Sequence, residues 1–323
     1  VYPTAVSFVE CATHGEVAQA ITDMVTQSAG PYTAAAMGMA LAAYECRDMA
    51  IIKQRAYLEQ AAHTISHARP TTVERMRLIT AGCLQAAEAA WAAGQDVSRA
   101  IVEHTVRAND LRYSKVEKMA AYLVDMFPHN GKILTQCFGE TIVGMMLKEA
   151  RRRGNELKIY CAETRPYFQG ARLTASVARD MGFDVTVITD NMPAFAIQNE
   201  KIDVFTSAAD VICLDGHIVN KVGTFQIAIV AKHMGIPYFV TGAPDRGHPT
   251  VDTVKIEMRD PAFVLQSMGV RTAMEGVKGY YPSFDITPPH LVSGVVTDDG
   301  VYSPYDLNRY YQSGQAGEFA CVD

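Results

Sequence analysis

Cys137 lies in the stretch "TQCFGETIVG" (135–144), between an apolar run, "KILTQC", and a helical pattern, "IVGMMLKEARRRG". A cysteine where a strand gives way to a glycine and a helix start has four readings: nucleophile, redox group, acid/base, or small core residue. The stretch alone does not separate them. "ARPTT" (68–72) sets Arg69 before a proline and a hydroxyl pair. That fits a phosphate-binding helix start capped by Thr71 or Thr72, and equally a plain N-cap with a surface arginine. "ETRPYFQGARLTA" (163–175) crowds Glu163, Arg165, Gln169 and Arg172 into a strand-to-helix connection, with Gly170 at the helix start. Glycine lets a backbone approach a ligand, and free N–H groups there favour an anion; a salt-bridged loop would explain the same charges. In "AADVICLDGHIVNKVGTF" (208–225), Asp210 follows a strand, and Asn220 and Lys221 precede Gly223 and a helix. The macrodipole disfavours a cation at a helix start, so a phosphate held beside Lys221 would account for it. His63 and His67 stand four apart on a helix, but no third metal ligand is obvious, and a solvated helix face accounts for the pair.

The elements that must position these residues fall into two textures. Up to about residue 125 the chain is Ala-rich with apolar residues at helical spacing, as in "YTAAAMGMALAAYECRDMAIIKQRAYLEQAAHTI". "PHNG" (128–131) then punctuates it. Beyond, the short apolar runs "KILTQC", "LKIYCAE", "DVTVITD", "VFTSA" and "IPYFVTG" alternate with helical segments, several ending in glycine (Gly154, Gly182, Gly235). The pattern predicts an α/β fold: an N-terminal helical domain, 1–128, followed by a doubly wound, mainly parallel sheet domain, 129–323. Ligands of such sheets bind beyond the carboxyl ends of the strands, where Cys137, Gln169 and Asp210 all fall.

Composition narrows the function. The 323 residues are 49% hydrophobic and 20% charged, an ordinary globular balance, and the net charge of −6 argues against nucleic acid as the main partner. No apolar run reaches the ~18 residues of a membrane span, and the first residues lack a signal-peptide pattern. The seven cysteines are scattered, with no C-x-x-C, so a reduced, cytoplasmic protein without disulfides or a zinc cluster is expected. P-loop, G-x-G-x-x-G, G-x-S-x-G and H-E-x-x-H motifs are absent.

Four blocks, "CAETRPYFQGARLTA" (161–175), "DVTVITDNM" (184–192), "NKVGTFQIAIVAKHMGIPYFV" (220–240) and "FDITPPHLVSGVVTDDG" (284–300), resemble the methylthioribose-1-phosphate isomerases. These share a superfamily with ribose-1,5-bisphosphate isomerases and the regulatory subunits of translation initiation factor 2B. The resemblance implies a Rossmann-like C-terminal domain, a homodimer, a sugar 1-phosphate substrate, and no cofactor or metal. It places the catalytic pair on Cys137 and Asp210, and substrate contacts on Arg69, Gln169, Asn220 and Lys221. The reaction resembled turns an aldose 1-phosphate into a ketose 1-phosphate. On that reading Asp210 is the ring-opening acid, its pKa raised by an apolar site, and Cys137 is a thiolate base helped by the adjacent helix N-terminus. A hydride shift from C2 to C1 is the competing route.

Three departures bear on substrate choice. The family's Arg-Gly-Ala-Pro is here Ser28-Ala29-Gly30-Pro31, its Gly-Ala-Asp-Arg is Ala208-Ala209-Asp210-Val211, and its Asn-Gly-Asp is Asp215-Gly216-His217. Each lost cation removes a charge-assisted contact worth about 1.5–3 kcal/mol, so a shifted substrate or altered anchoring is expected. Asp215 and His217 are candidate sugar contacts, and Arg246 and His248 candidate replacement phosphate ligands. A non-catalytic sensing subunit of the initiation-factor type is the alternative, and ribose-1,5-bisphosphate isomerase ranks below both.

Overall fold

The computed structural model describes residues 3, 5, 7–26, 30–69 and 73–312. Ser28, Ala29, Thr71, Thr72 and Cys321 lie outside them. The chain divides into two compact units, with Val6–Ser114 forming the body of one and Lys115–Gln315 that of the other. The division falls within a single helix, α5 (Val97–Asp125). No described helix is long and apolar enough to cross a membrane.

The first unit contains α1 (His14–Thr22), α2 (Gly30–Glu45), α3 (Ile51–Ser66), α4 (Val73–Ala93) and the first part of α5. Small side chains let these helices approach closely. A Cβ on Gly38 of α2 would lie 3.0 Å from Val17 of α1 and 3.1 Å from Ile65 of α3. Ala35, Met39, Ala42, Leu58, Ile65, Met76, Cys83 and Ile101 fill the shared core. One carboxylate ties three elements together. Glu45 accepts from the His14 backbone N–H at 2.7 Å, from His14 Nδ1 at 2.6 Å and from the Tyr57 hydroxyl at 2.6 Å. Burial pushes its pKa up, but the Tyr57 and His14 hydrogen bonds outweigh that and hold it below the ordinary value.

The second unit is built on a seven-stranded sheet in the order β12-β11-β7-β4-β1-β2-β3. The strands are β1 (Lys132–Thr135), β2 (Lys158–Ala162), β3 (Asp184–Ile188), β4 (Val204–Ala208), β7 (Tyr238–Thr241), β11 (Gly294–Val296) and β12 (Val301–Tyr302). All neighbours pair in parallel except β11 with β12. Central strands are apolar on both faces because both are covered. Leu134, Phe205 and Val240 pack with Ile197 of α8 (Pro193–Glu200) and Ile227 of α9 (Thr224–Met234). Ile133, Ile159 and Val204 pack on the other side with Leu123 of α5, Leu147 of α6 (Glu140–Arg152) and Ala178 of α7 (Ala175–Asp180). The chain runs outward from β1 through β2 and β3, then returns to lay β4 on the other side of β1. The crevice beyond β1 and β4 is therefore the topological switch point, the preferred ligand site of an open α/β sheet.

Part of the second unit departs from simple strand–helix alternation. Residues 211–221, read from sequence as a connection into a helix, instead form β5 (Val211–Ile212) and β6 (Ile218–Lys221). With β10 (Phe284–Thr287) they make a three-stranded antiparallel sheet, β10-β6-β5. Between β7 and β10 the chain also makes a short hairpin, β8 (Gln266–Ser267) with β9 (Val270–Arg271).

Replacing Glu45 by alanine leaves the His14 and Tyr57 donors without their acceptor. The loss expected is about 2–4 kcal/mol of unfolding free energy in the helical unit, read by urea titration of fluorescence from Trp91, the chain's one tryptophan. A change below about 0.5 kcal/mol, the level of a neutral surface substitution, would show that the cluster does not hold α1, α2 and α3 together.

Candidate active site

Cys137 sits two residues beyond β1 with φ +63°, in the left-handed region that non-glycine residues avoid. Its surroundings hold it there. The Cys137 N–H donates to Thr164 Oγ1 at 3.0 Å, and the Thr174 hydroxyl donates to the Cys137 carbonyl at 2.5 Å. Thr164 is itself left-handed, at φ +64°, and fully buried. Asp190, just after β3, takes the N–H groups of Thr164 (2.8 Å) and Arg165 (2.7 Å) on its two carboxylate oxygens. Strain of about 1–3 kcal/mol per such residue persists only where the surroundings over-determine it.

The connection after β2 differs in detail from the sequence reading. Gly170 opens a π-helical turn, Gly170–Thr174, leading into α7. A Cβ there would lie 1.8 Å from the Ala162 carbonyl oxygen, so the glycine serves close packing on the protein's own β2 rather than approach to a ligand. The N–H groups of Phe168, Ala171 and Arg172 are spent on the carbonyls of Thr164, Glu163 and Phe168, which removes the expected anion cradle. The Gln169 side chain does not join this local bonding: its Oε1 is buried with no hydrogen-bond partner among the described residues.

Three candidates converge on the switch point. Lys221 ends β6 and is only 6% exposed. Its ammonium lies 4.5 Å from the centre of the Phe284 ring and has no hydrogen bond or ion pair among the described residues. Burial pushes its pKa down, while Cys137 and Asp210 pull it up, Arg259 lowers it and Glu257 raises it. Asp210 follows β4 and donates its backbone N–H to Val219 of β6. The Gln136 amide, next to Cys137, donates to the Val222 carbonyl, next to Lys221, at 3.2 Å. Asn220 is buried and donates to Thr224 Oγ1 at 3.0 Å, at the start of α9.

Two expectations are corrected here. Cys137 was expected as a thiolate; burial instead pushes its thiol up to about 12, more than the Lys221 charge and the Phe138 N–H bring it down, with Asp210 and Asp190 raising it further. That shift favours the protonated thiol at neutral pH. Asp210 was expected in an apolar enclosure, yet it is an exposed residue. Asp285 on β10 is half-buried and is pushed up to about 6 by desolvation despite accepting from the N–H groups of Gly223 (2.6 Å) and Phe225 (3.1 Å). It caps α9 from a neighbouring strand.

Other candidates are engaged locally. Asp215 accepts from the Val251 N–H and pairs with His217 Nδ1 at 3.1 Å. Arg246 stacks on Tyr311 at 3.9 Å, and His248 bonds Thr253 at 2.9 Å. His63 and His67 stack at 4.0 Å, and no group of three metal-holding side chains occurs among the described residues. Arg69 belongs to the other unit, just beyond α3. Residues that sequence reading missed come from the excursion between β7 and β10. Arg259 donates its Nε to Glu257 at 3.2 Å and its backbone N–H to the Tyr281 carbonyl at 2.9 Å. Its guanidinium lies 5.8 Å from the Tyr167 ring centre. No periodicity marks this stretch; its only signal was proximity to the "FDITPP" block.

A parallel sheet with a cysteine, an aspartate and a buried lysine around its switch point defines a Rossmann-like α/β protein with a small-molecule crevice. Residues 27–304 match the profile of the Initiation factor 2 subunit family (IF-2B), and the chain belongs to that family. It is 33% identical to a methylthioribose-1-phosphate isomerase of Xylella fastidiosa (strain M23), over 94% of this chain and 88% of that one. A methylthioribose-1-phosphate isomerase of Caldanaerobacter subterraneus subsp. tengcongensis is 34% identical, over 94% and 91%. Among solved structures, 5-methylthioribose 1-phosphate isomerase from Pyrococcus horikoshii OT3 superposes with a TM-score of 0.86 at 28% identity, covering 98% and 91% of the two chains. Translation initiation factor eIF-2B, subunit delta, from A. fulgidus gives 0.85 at 29% identity, covering 94% and 91%.

A protonated Cys137 makes a kinetic prediction. At neutral pH iodoacetamide alkylates it far more slowly than a cysteine of ordinary pKa, and the rate climbs about tenfold per pH unit up to about pH 10 without levelling. Lys221→Met slows it further, because the ammonium lowers the thiol pKa. Peptide mass spectrometry follows the reaction, and a plateau below about pH 9 would show that the thiol ionises far more readily than its burial dictates.

Proposed function

We propose that this protein is an aldose–ketose isomerase acting on a five-carbon sugar 1-phosphate, 5-methylthioribose 1-phosphate or a 5-deoxyribose 1-phosphate relative. One observation carries the reading. Lys221 presents a buried ammonium over the Phe284 ring, with no hydrogen bond or ion pair among the described residues, within electrostatic reach of Cys137 and Asp210. A buried cation needs an anion, and a sugar phosphate supplies one beside an acid/base pair. The relatives named as isomerases support the reaction class. Arg69, Gln169 and Asn220 are the further substrate contacts on this reading.

The phosphate locks C1 as an acetal, so the furanose ring must open first. The environments of the pair favour a division of labour opposite to the one first expected. The Cys137 thiol gives its proton to the ring oxygen as the bond from C1 to that oxygen breaks. The Asp210 carboxylate takes the C2 proton, leaving an enol phosphate. The exposed Asp210 carboxyl exchanges its proton with solvent and then gives one to C1, and the Cys137 thiolate recovers one from the C2 hydroxyl as it becomes a carbonyl. Both groups end as they began. The Lys221 charge stabilises the transient thiolate.

The test is turnover of methylthioribose 1-phosphate, 5-deoxyribose 1-phosphate, ribose 1-phosphate and ribose 1,5-bisphosphate, followed by NMR in D2O. One sugar is converted with deuterium appearing at C1, and Cys137→Ser and Asp210→Asn each lower kcat by about 10²–10⁴. Conversion with no deuterium uptake would replace proton transfer by a hydride shift. Saturable binding with no turnover of any sugar would make the chain a sensing subunit.

A further inference from the structure

Tyr281 precedes β10 and is 2% exposed, yet its hydroxyl has no hydrogen-bond partner among the described residues. A buried hydroxyl left unpaired is costly, and phenylalanine would fill the same space without that cost. The ring is held beside the site. Tyr281 packs against Tyr167 at 6.3 Å between ring centres, and Tyr167 stands two residues before Gln169. Two residues after Tyr281, the Ser283 carbonyl accepts from Val222, which follows Lys221, at 3.2 Å. The register of β10 with β6 sets Phe284 opposite Lys221.

Tyr281 Oη and Gln169 Oε1 are thus buried polar atoms without partners among the described residues, Gln169 on the segment that borders Cys137 and Tyr281 on the one that borders Lys221. Their chemistry is complementary. The glutamine oxygen only accepts, and the phenol donates. A phosphate dianion offers no donor to Gln169, and a methyl thioether offers no donor to Gln169 and only a weak acceptor to Tyr281. A sugar hydroxyl satisfies both at once. The C2 hydroxyl becomes the carbonyl and belongs with the catalytic pair, which leaves the hydroxyl on C3. We propose that Tyr281 and Gln169 together bind the 3-hydroxyl of the sugar, an inference that rests on the isomerase reading above. Burial pushes the Tyr281 phenol up to about 12, with Arg259 lowering it and Tyr167, Cys137 and Glu257 raising it. It therefore stays a donor throughout the physiological range. Arg259 is a positioning residue: its backbone holds Tyr281 and its guanidinium lies over Tyr167.

The experiment compares the full-length protein with Tyr281→Phe. Without sugar the variant melts at the same temperature or higher. KM for the sugar that wild type converts rises about 10- to 100-fold, while the affinity for inorganic phosphate stays within about twofold. Wild type loses a similar factor on the 3-deoxy analogue of that sugar, and the variant loses nothing more on it. A KM within about twofold of wild type, or losses that multiply, would overturn the inference while leaving the isomerase reading intact. If wild type converts none of the sugars, the isomerase reading fails on its own. Calorimetric binding of ribose 1-phosphate then decides for Tyr281, equal affinity in the two proteins counting against it.

Discussion

The fixed point of the second unit is the backbone of Cys137. A left-handed residue after a buried strand is unstable by itself, and two threonine hydroxyls from the β2 connection hold it at both its N–H and its carbonyl. One of those threonines is also left-handed and is held by Asp190 at the end of β3. Three neighbouring strand ends are therefore locked to one another by polar contacts that depend on side chains of defined length. The thiol gains a fixed position from this and loses part of its contact with bulk water.

That loss of water sets the electrostatics. The same desolvation raises the Cys137 thiol and lowers the Lys221 ammonium, so each is pushed toward its neutral form while each favours the other's charge. Such a pair responds strongly to any charge brought between its members. Asp285 also feels the Lys221 charge, which lowers its pKa against the desolvation that raises it. It is half-buried, and its hydrogen bonds run to Gly223 and Phe225 at the start of α9, in the turn that follows Lys221.

The alternation of short apolar runs with helices was legible because buried parallel strands must be apolar on both faces, as Ile133 and Leu134 are. The crevice followed from the same alternation. The antiparallel sheet was not legible, since β5 is two residues long and β6 carries Asn220 and Lys221 among its four. Those polar residues looked like a loop because their pairing partner, β10, lies more than sixty residues away. Cys137, Gln169 and Lys221 could be singled out by type and position. Their protonation and exposure could not, because these depend on what the tertiary structure stacks around them, as the exposed Asp210 and the half-buried Asp285 with its raised pKa show. Tyr281 and Arg259 had no local pattern at all.

The contact between Gly170 and the Ala162 carbonyl divides the crevice into parts that can and cannot vary. A single methyl group at 170 would overlap a backbone oxygen of the central sheet, so relief would require the sheet itself to shift. Natural drift and laboratory selection are thereby denied the most direct way to reshape the wall around Gln169. The β8–β9 hairpin is less restricted: Met268 and Val270 are largely exposed. Variation is tolerated there, by exchanging side chains on a surface hairpin while the packing around Gly170 stays constant.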